Sequence, residues 1–301
     1  MSLPQVLPQL LPEVVNAELE AKAFAPDRIR IAIHLPPGYD PAAGTAYAVL
    51  YINDGQDAEA VELAPALAKL YAEDAIEKVI IVSIHMLPDR MGTYGLSNRV
   101  RQRSVVGDSR FGPVGGRAYD YSEWVAGTLV TYIDSHYRTR RNPAGRSVLG
   151  WSLGGLNAFN LGWEYPEVFG KVGGFSPSFW LSSDRTNAAS VQRTRLAQGM
   201  VEAGPRRAGL RFWFAVGTAE ETDDRDGDGV IDAVDDTLDL ARALARQGYS
   251  ANLEDAWCRS RHEQVVFHLL PNGQHNQASW ARMLPLFLQW AYGKERPCTQ
   301  P

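Results

Sequence analysis

The sequence Ser147-Val148-Leu149-Gly150-Trp151-Ser152-Leu153-Gly154-Gly155 joins a short apolar run to a glycine-rich turn, and a helical pattern follows at once. The apolar run predicts a buried strand. The glycines predict a turn so sharp that a bulky side chain would keep the helix away from the strand. Ser152 stands at the tip of this turn, near the start of the predicted helix, where peptide dipoles favour negative charge.

The spacing Gly150-x-Ser152-x-Gly154 is that of a nucleophile elbow, in which a serine is exposed at a strand-to-helix turn. The motif alone is only moderately specific, because glycine and serine are common in ordinary turns. Here a strand precedes it and a helix follows it, which is the context that the motif requires. We therefore expect Ser152 to be a nucleophile rather than a structural turn residue.

Composition and charge are those of an ordinary globular protein, with 45% apolar residues, 22% charged residues and a formal net charge of −5. Neither nucleic-acid binding nor a membrane span is indicated. The first residues lack the basic and apolar regions of a signal peptide, which predicts a cytoplasmic protein unless a leader preceded them. The two cysteines, Cys258 and Cys298, have no metal-binding spacing, and two thiols are favoured over one disulfide.

Strands alternate with helical patterns along the chain. Residues 28–35 alternate like a half-buried antiparallel strand, whereas residues 47–52 and 78–84 are near-continuous apolar runs, typical of strands buried on both faces. This predicts an α/β fold with a mostly parallel central sheet, antiparallel N-terminal strands and helices on both faces. The expected divisions are an N-terminal arm and edge strand (1–24), a single catalytic domain (25–293) and a tail (294–301).

Two segments are harder to interpret. Residues 86–120, rich in arginine and glycine, predict a long irregular loop, and loops of that length are usually functional or mobile. Its residues Arg99, Arg101 and Arg103 could bind an anionic substrate, although it is favoured that they form part of a solvated surface. Residues 186–203 predict one helix.

A serine nucleophile needs a base and an acid beyond the carboxyl ends of the strands. Of the six histidines, His275 alone lies in a glycine-containing turn between the last strand and the last helix. It is therefore the expected base. The acid should follow the strand that ends at Gly217. Glu220 is favoured because it lies nearest that strand end, and the alternatives are Glu221, Asp223 and Asp224.

A tetrahedral intermediate needs two backbone N–H groups that bind its oxyanion. One should come from Leu153, the residue after the nucleophile. The other should come from the loop after an early central strand, Asp54-Gly55-Gln56, and we expect the N–H of Gln56.

Several motifs together resemble the esterase D group of α/β-hydrolases. This group includes enterochelin (siderophore) esterases, feruloyl and acetyl-xylan esterases, S-formylglutathione hydrolase and mycolyltransferases. The similarity runs from about residue 25 to residue 292, and the set of motifs is highly specific. The motifs are Pro36-Pro37-Gly38-Tyr39-Asp40, Val49-Leu50-Tyr51-Ile52-Asn53-Asp54-Gly55-Gln56, Gly150-Trp151-Ser152-Leu153-Gly154-Gly155, Ser176-Pro177-Ser178-Phe179-Trp180 and Gly273-Gln274-His275-Asn276 with Trp280.

The resemblance implies Ser152 as nucleophile and His275 as base, with the amides of Gln56 and Leu153 as oxyanion hole. It favours Glu220 as the acid, because members of the group carry an acid just past the Gly-Thr turn. It also implies that Trp180 lines the acyl pocket. Substrate contacts are expected from Asp54 and Trp151 as well. The departure from the group is an acidic insert after Glu220.

That insert, residues 224–235, has the spacing D-x-D-x-D-G of a calcium loop. Gly229 stands where such a loop turns sharply, and a helical pattern follows. A strand rather than a helix precedes the loop, so it is not a paired EF-hand, and an aspartate at position twelve predicts weaker binding than glutamate. The alternative is a solvated acidic loop. The expected Ca²⁺ ligands are Asp224, Asp226, Asp228, the Val230 carbonyl, Asp232 through water, and Asp235.

The sequence therefore predicts a serine esterase that forms an acyl-enzyme on a small-molecule ester and uses no organic cofactor. An acyltransferase of the same chemistry is the first alternative. The others are a calcium-stabilised binding domain on an inactive scaffold and a serine peptidase. Calcium would favour a compartment outside the cytosol.

Overall fold

The structure is a computed structural model that describes residues 10–254 and 262–294, so Cys258 and Cys298 lie outside the described residues. Its strands are β1 (Glu13–Glu20), β2 (Arg28–Leu35), β3 (Ala48–Ile52), β4 (Val79–Ile84), β5 (Leu96–Asn98), β6 (Arg103–Val105), β7 (Gly107–Ser109), β8 (Gly112–Val114), β9 (Arg146–Trp151), β10 (Lys171–Phe175), β11 (Arg211–Gly217), β12 (Ala251–Asn252) and β13 (Val265–Leu270). Its α-helices are α1 (Leu63–Ala72), α2 (Arg90–Thr93), α3 (Ala118–Glu123), α4 (Val130–His136), α5 (Leu153–Glu164), α6 (Ala188–Arg193), α7 (Leu196–Ala203), α8 (Asp232–Arg246) and α9 (Gln277–Tyr292).

Nine of these strands form one sheet, in the order β1-β2-β4-β3-β9-β10-β11-β13-β12. The pairs β1–β2 and β2–β4 are antiparallel, and all the other neighbours are parallel. The predicted α/β fold, with antiparallel strands at the N-terminal edge, is thus confirmed. The strand order reverses between β3 and β9, and ligands of open α/β sheets bind in the crevice at such a reversal.

Both faces of the sheet are covered, because its central strands are apolar on each side. On one face α4, α5 and α8 pack against alternate strand residues such as Val49 and Tyr51. On the other face α1 and α9 pack against Leu50 and Ile52. Because helices cover both faces of the sheet, functional side chains are expected in the loops at the carboxyl ends of the strands. None of the helices in the described ranges is long and apolar enough to cross a membrane.

The predicted irregular loop at residues 86–120 is largely structured. It contains α2 and two small hairpins, β5–β6 and β7–β8. Short strands of three residues carry too little hydrophobic alternation to be recognised in a sequence. The helix that follows begins at Ala118 and continues through a π-helical segment, Trp124–Leu129, into α4.

The prediction of one helix over residues 186–203 was wrong, since the chain forms α6 and α7 with a break at Arg195. The backbone of Arg195 is extended there (φ −59°, ψ 121°). Its buried guanidinium binds Asp236 and Asp239 of α8 at 2.5 and 2.7 Å. The break directs the arginine towards carboxylates more than forty positions away, which no local helical pattern could reveal.

Candidate active site

Ser152 lies between β9 and α5 in a conformation that non-glycine residues rarely adopt (φ +56°, ψ −126°). The glycines beside it allow this. A Cβ on Gly150 would come within 2.2 Å of the Gly154 carbonyl oxygen, and one on Gly155 would come within 3.0 Å of the Gly150 oxygen. Strand and helix therefore touch backbone to backbone, as the spacing of glycines predicts.

Surrounding hydrogen bonds hold the turn in this strained shape. The Ser152 N–H donates to the Phe175 carbonyl on β10 at 3.0 Å. The Ser152 carbonyl accepts from Gly155 and Leu156 in α5 and from Ser178 in the next loop, each at 3.1 Å. Strain of about 1–3 kcal/mol persists only where the neighbouring structure fixes it, and such positions cluster at active sites.

His275 and Glu220 come together from separate loops, after β13 and β11. The Nδ1 atom of His275 lies 2.9 Å from Oε2 of Glu220. Oε1 of the same carboxylate accepts two further hydrogen bonds at 2.6 Å, from the Gly217 N–H and the Ser176 hydroxyl. The carboxylate is 2% exposed and the imidazole 40% exposed. An oriented imidazole of this kind has Nε2 free to receive a proton.

Two of the three alternative acids, Glu221 and Asp224, have other hydrogen-bond partners. Glu221 accepts a hydrogen bond from the Ala233 N–H, and burial is the main cause that raises its pKa. Asp224 accepts from the N–H groups of Gly227 and Gly229 in its own loop. Of the four candidates, Glu220 is the one that the structure pairs with His275.

Ser152 and His275 line the same cavity, which has a volume of about 750 Å³. Among the described residues they are not hydrogen-bonded to each other, and the hydrogen bond of the imidazole is the one from Nδ1 to Glu220. Contacts between a nucleophile and its base are often longer without substrate and tighten when it binds. Trp180 also lines this cavity, beside Arg185, whose guanidinium lies 5.7 Å from the centre of the indole ring.

The loop after β3, from which an oxyanion amide is expected, packs closely against the end of β4 and the loop after it. Asp54 is left-handed (φ +57°), and a Cβ on Gly55 would clash with the Ser83 backbone at 2.5 Å. The Gln56 side chain accepts from the Met86 N–H at 3.1 Å. In the described part of the chain, the N–H groups of Gln56 and Leu153 have no hydrogen-bond partner. Both amides are thus available to a ligand.

Asp54 and Trp151 were expected to contact substrate, and the structure gives both a different position. Each is 1% exposed, and neither lines the cavity. The Asp54 carboxylate accepts both hydrogen bonds of a bidentate pair with Arg90, at 2.8 and 3.0 Å. Trp151 stacks on Trp280 with ring centres 5.5 Å apart. The carboxylate of Asp54 and the ring of Trp151 already have partners within the protein, so both residues support the site from the interior.

Of the arginines in the long loop, Arg99, Arg101 and Arg103 do not line the cavity either. Arg99 binds Glu164 through its backbone N–H at 2.7 Å, and its guanidinium pairs with Glu167. Arg101 and Arg103 are exposed elsewhere. The arginines that do line the cavity are Arg110, Arg185 and Arg225.

Three of the predicted calcium ligands lie close together in the structure. One carboxylate oxygen from each of Asp224, Asp226 and Asp228 lies within 4.8 Å of the others. Gly229 has φ +92°, the left-handed conformation expected at the sharp turn. The carboxylate of Asp232 instead binds Arg225, through its N–H at 2.8 Å and its guanidinium at 3.2 Å.

The remaining two expected ligands lie at the edge of this cluster. Val230 is exposed, and its N–H donates to Asp228 at 2.8 Å. Burial, and then the charges of Asp228 and Asp226, raise the pKa of Asp235 to about 6. Asp235 is therefore affected by the charges of the loop aspartates, but its carboxylate is not one of the three that converge.

Sequence reasoning missed two residues of the site, Ser176 and Trp280, although both fall in the motifs quoted above. Ser176 is 3% exposed, has φ +46° and contacts Glu220. Trp280 donates a hydrogen bond to the Ser176 hydroxyl at 2.9 Å. A left-handed serine at a strand end leaves no signature in a sequence, so their contacts could be found only in three dimensions.

The sheet order and the elbow define an α/β-hydrolase. More narrowly, the chain belongs to the putative esterase family, whose profile matches residues 23–289. It is therefore an ester hydrolase by family. It is 23% identical over 269 residues to an uncharacterized protein, YbbA, of Bacillus subtilis (strain 168), covering 89% of this chain and 94% of that one.

Solved structures share the fold. A ferulic acid esterase superposes with a TM-score of 0.66 at 16% identity, covering 94% of this chain and 98% of the other. The enterobactin esterase FES from Shigella flexneri gives a TM-score of 0.66 at 17% identity, covering 96% of this chain and 64% of the other. The expected resemblance to enterochelin esterases and feruloyl esterases is thereby confirmed.

The close contact at the elbow can be tested by Gly150→Ala. The added methyl group must displace the Gly154 backbone, so we expect the free energy of unfolding to fall by about 3 kcal/mol and ester hydrolysis to be lost. Chemical denaturation measures the first and an ester assay the second. The matched control is Gly199→Ala in α7, where nothing lies within 4 Å of the new Cβ. It should be neutral or stabilise by up to about 1 kcal/mol. Equal behaviour of the two variants would contradict the packing described here.

Proposed function

We propose that this protein is a serine esterase that hydrolyses a carboxylic ester through an acyl-enzyme intermediate. The observation that carries the proposal is the shared cavity. A serine on a strained elbow and a histidine oriented by a buried glutamate line the same space. The family establishes ester hydrolysis, and this arrangement supplies a nucleophile, a base and an acid for it.

In the proposed mechanism, His275 Nε2 takes the proton of the Ser152 hydroxyl as Oγ attacks the ester carbonyl. Glu220 holds the imidazole through Nδ1 and stabilises the imidazolium. The amides of Gln56 and Leu153 donate to the tetrahedral oxyanion. His275 then gives its proton to the leaving alcohol. Water, activated by the same histidine, attacks the acyl-enzyme and releases the acid.

Trp180 is the proposed wall of the acyl pocket, since it lines the cavity together with Ser152. Besides His275, the ionisable residues of the lining are three arginines and five carboxylates, including Glu220, so the cavity does not favour an anionic substrate. A neutral acyl group against Trp180 fits the lining better. An acyltransferase would use the same groups with an alcohol in place of water as acceptor.

The mechanism predicts that Ser152→Ala lowers kcat for p-nitrophenyl esters by about 10⁶-fold, because the reaction loses its nucleophile. His275→Ala should cost a similar factor, whereas His136→Ala, an exposed histidine of α4, should not change kcat. A series of acyl lengths measured with wild type would define the acyl pocket. Activity in Ser152→Ala, or a wild type that hydrolyses no ester, would contradict the proposal.

We also propose that the loop of residues 224–235 binds Ca²⁺. Carboxylate oxygens are the ligands that Ca²⁺ prefers, and their spacing in the sequence is that of a calcium loop. The convergence of Asp224, Asp226 and Asp228 supports the proposal. Because α8 begins at Asp232 and Asp224 lines the cavity, an ion here would stabilise the segment between the acid loop and α8.

A bound ion stabilises the folded protein by mass action, by about 2.7 kcal/mol at a hundred times the Kd. Calcium should therefore raise the Tm of the wild type, and Asp226→Asn should weaken the increase. Asp27→Asn, an aspartate outside the loop, should leave the increase intact. A thermal unfolding series in EGTA and in millimolar Ca²⁺ measures this. An unchanged Tm in calcium would contradict the calcium proposal without affecting the esterase mechanism.

A further inference from the structure

Ser176 joins two groups that approach it from different parts of the chain. Its hydroxyl lies 2.6 Å from Oε1 of Glu220 and 2.9 Å from Nε1 of Trp280. All three side chains are almost fully buried. The loss of the Ser176 hydroxyl would therefore leave the buried carboxylate of Glu220 with one hydrogen bond fewer.

The direction of these hydrogen bonds is fixed by chemistry. An indole N–H can only donate, and an ionised carboxylate can only accept. The Ser176 hydroxyl must then accept from Trp280 and give its one hydrogen to Glu220. The carboxylate of Glu220 consequently accepts hydrogen bonds from Ser176 and Gly217 on Oε1 and from His275 on Oε2. With Oε1 held by two donors, Oε2 is aimed at the imidazole.

Trp280 connects this chain of hydrogen bonds to the rest of the site. Its ring stacks on Trp151 (5.5 Å, 18°), the residue before the nucleophile, and packs edge to face with His275 (5.5 Å, 81°). Trp151 in turn donates to Asp57 at 3.0 Å, next to the proposed oxyanion amide of Gln56. One packed unit therefore spans the elbow, the acid and the base.

We infer that Ser176 and Trp280 are positioning residues for the reaction, which act by holding the carboxylate of Glu220 in the orientation that His275 requires. The inference rests on the proposed function, because it assigns these residues a role in the same site. It goes beyond the triad by naming a serine that orients the acid and a tryptophan that orients this serine. Both act on the step in which the imidazolium forms, rather than on binding of the ester.

The strained backbone of Ser176 supports the assignment. Its φ of +46° is unusual for serine, and its N–H donates to the Ala215 carbonyl of β11 at 2.7 Å. Strain of this kind requires compensation by the surrounding structure. A serine needed only to fill space could be replaced by alanine at no cost to the reaction, whereas one that donates to a buried carboxylate could not.

The test is Ser176→Ala in the full-length protein, assayed with a p-nitrophenyl ester. Hydrogen bonds to charged groups contribute about 1.5–3 kcal/mol, so we expect kcat to fall by about 10- to 100-fold with KM within about twofold. Trp280→Phe, which removes the N–H and keeps an aromatic ring, should also lower kcat. In a Glu220→Gln background, Ser176→Ala should have little further effect, because residues that act as a unit are not additive.

Two matched controls separate this role from packing. Ser182→Ala removes a buried hydroxyl in the same segment, and Trp290→Phe removes a buried indole N–H on the same helix. Neither polar atom has a partner in the described ranges. Both variants should keep the wild-type kcat. The inference is wrong if Ser176→Ala keeps the same kcat as Ser182→Ala. It is also wrong if Ser176→Ala lowers kcat by the same factor in the Glu220→Gln background as in the wild type. In either case the esterase mechanism stands. If Glu220→Gln and Ser152→Ala leave hydrolysis unchanged, the proposed function fails, and the inference fails with it.

Discussion

The contact between β9 and α5 at Ser152 is the constraint on which the rest of the structure depends. A side chain on Gly154 would meet the Asp54 carboxylate, and Gly150 could carry none because the Gly154 backbone lies so close to it. This proximity forces the serine between them into a strained conformation. The hydrogen bonds that maintain it come from β10, from α5 and from the loop at Ser178. These partners come from separate elements around the sheet, so the position of Ser152 is a consequence of the whole fold.

The reversal of strand order explains why the other groups arrive at the same place. β3 and β9 are neighbours in the sheet, and the loops that follow them carry Gln56 and Ser152. The loops after β11 and β13, farther along the same parallel set, carry Glu220 and His275. Because the carboxyl ends of parallel strands lie at one edge, residues separated by more than one hundred positions, such as Ser152 and His275, line one cavity.

The sequence was sufficient for the parts of this account that depend on local patterns. Continuous apolar runs identified the central strands, and the Gly-x-Ser-x-Gly spacing indicated Ser152 as the candidate nucleophile. The order serine, acid, histidine then pointed to His275 and Glu220. It was insufficient wherever burial or a distant partner decides the outcome. Asp54 and Trp151 lie in the right motifs but face the interior. The break between α6 and α7 depends on Arg195 finding Asp236, and the role of Ser176 depends on a left-handed turn.

The central claim is that Ser152 is the nucleophile and that the amides of Gln56 and Leu153 bind the oxyanion. A crystal structure of the protein after reaction with a fluorophosphonate tests both parts together, since the phosphonyl oxygen stands in for the oxyanion. The account predicts a covalent bond from phosphorus to Ser152 Oγ, with the phosphonyl oxygen about 3 Å from both amide nitrogens. A label on another residue, or a phosphonyl oxygen that points away from these amides, would contradict it.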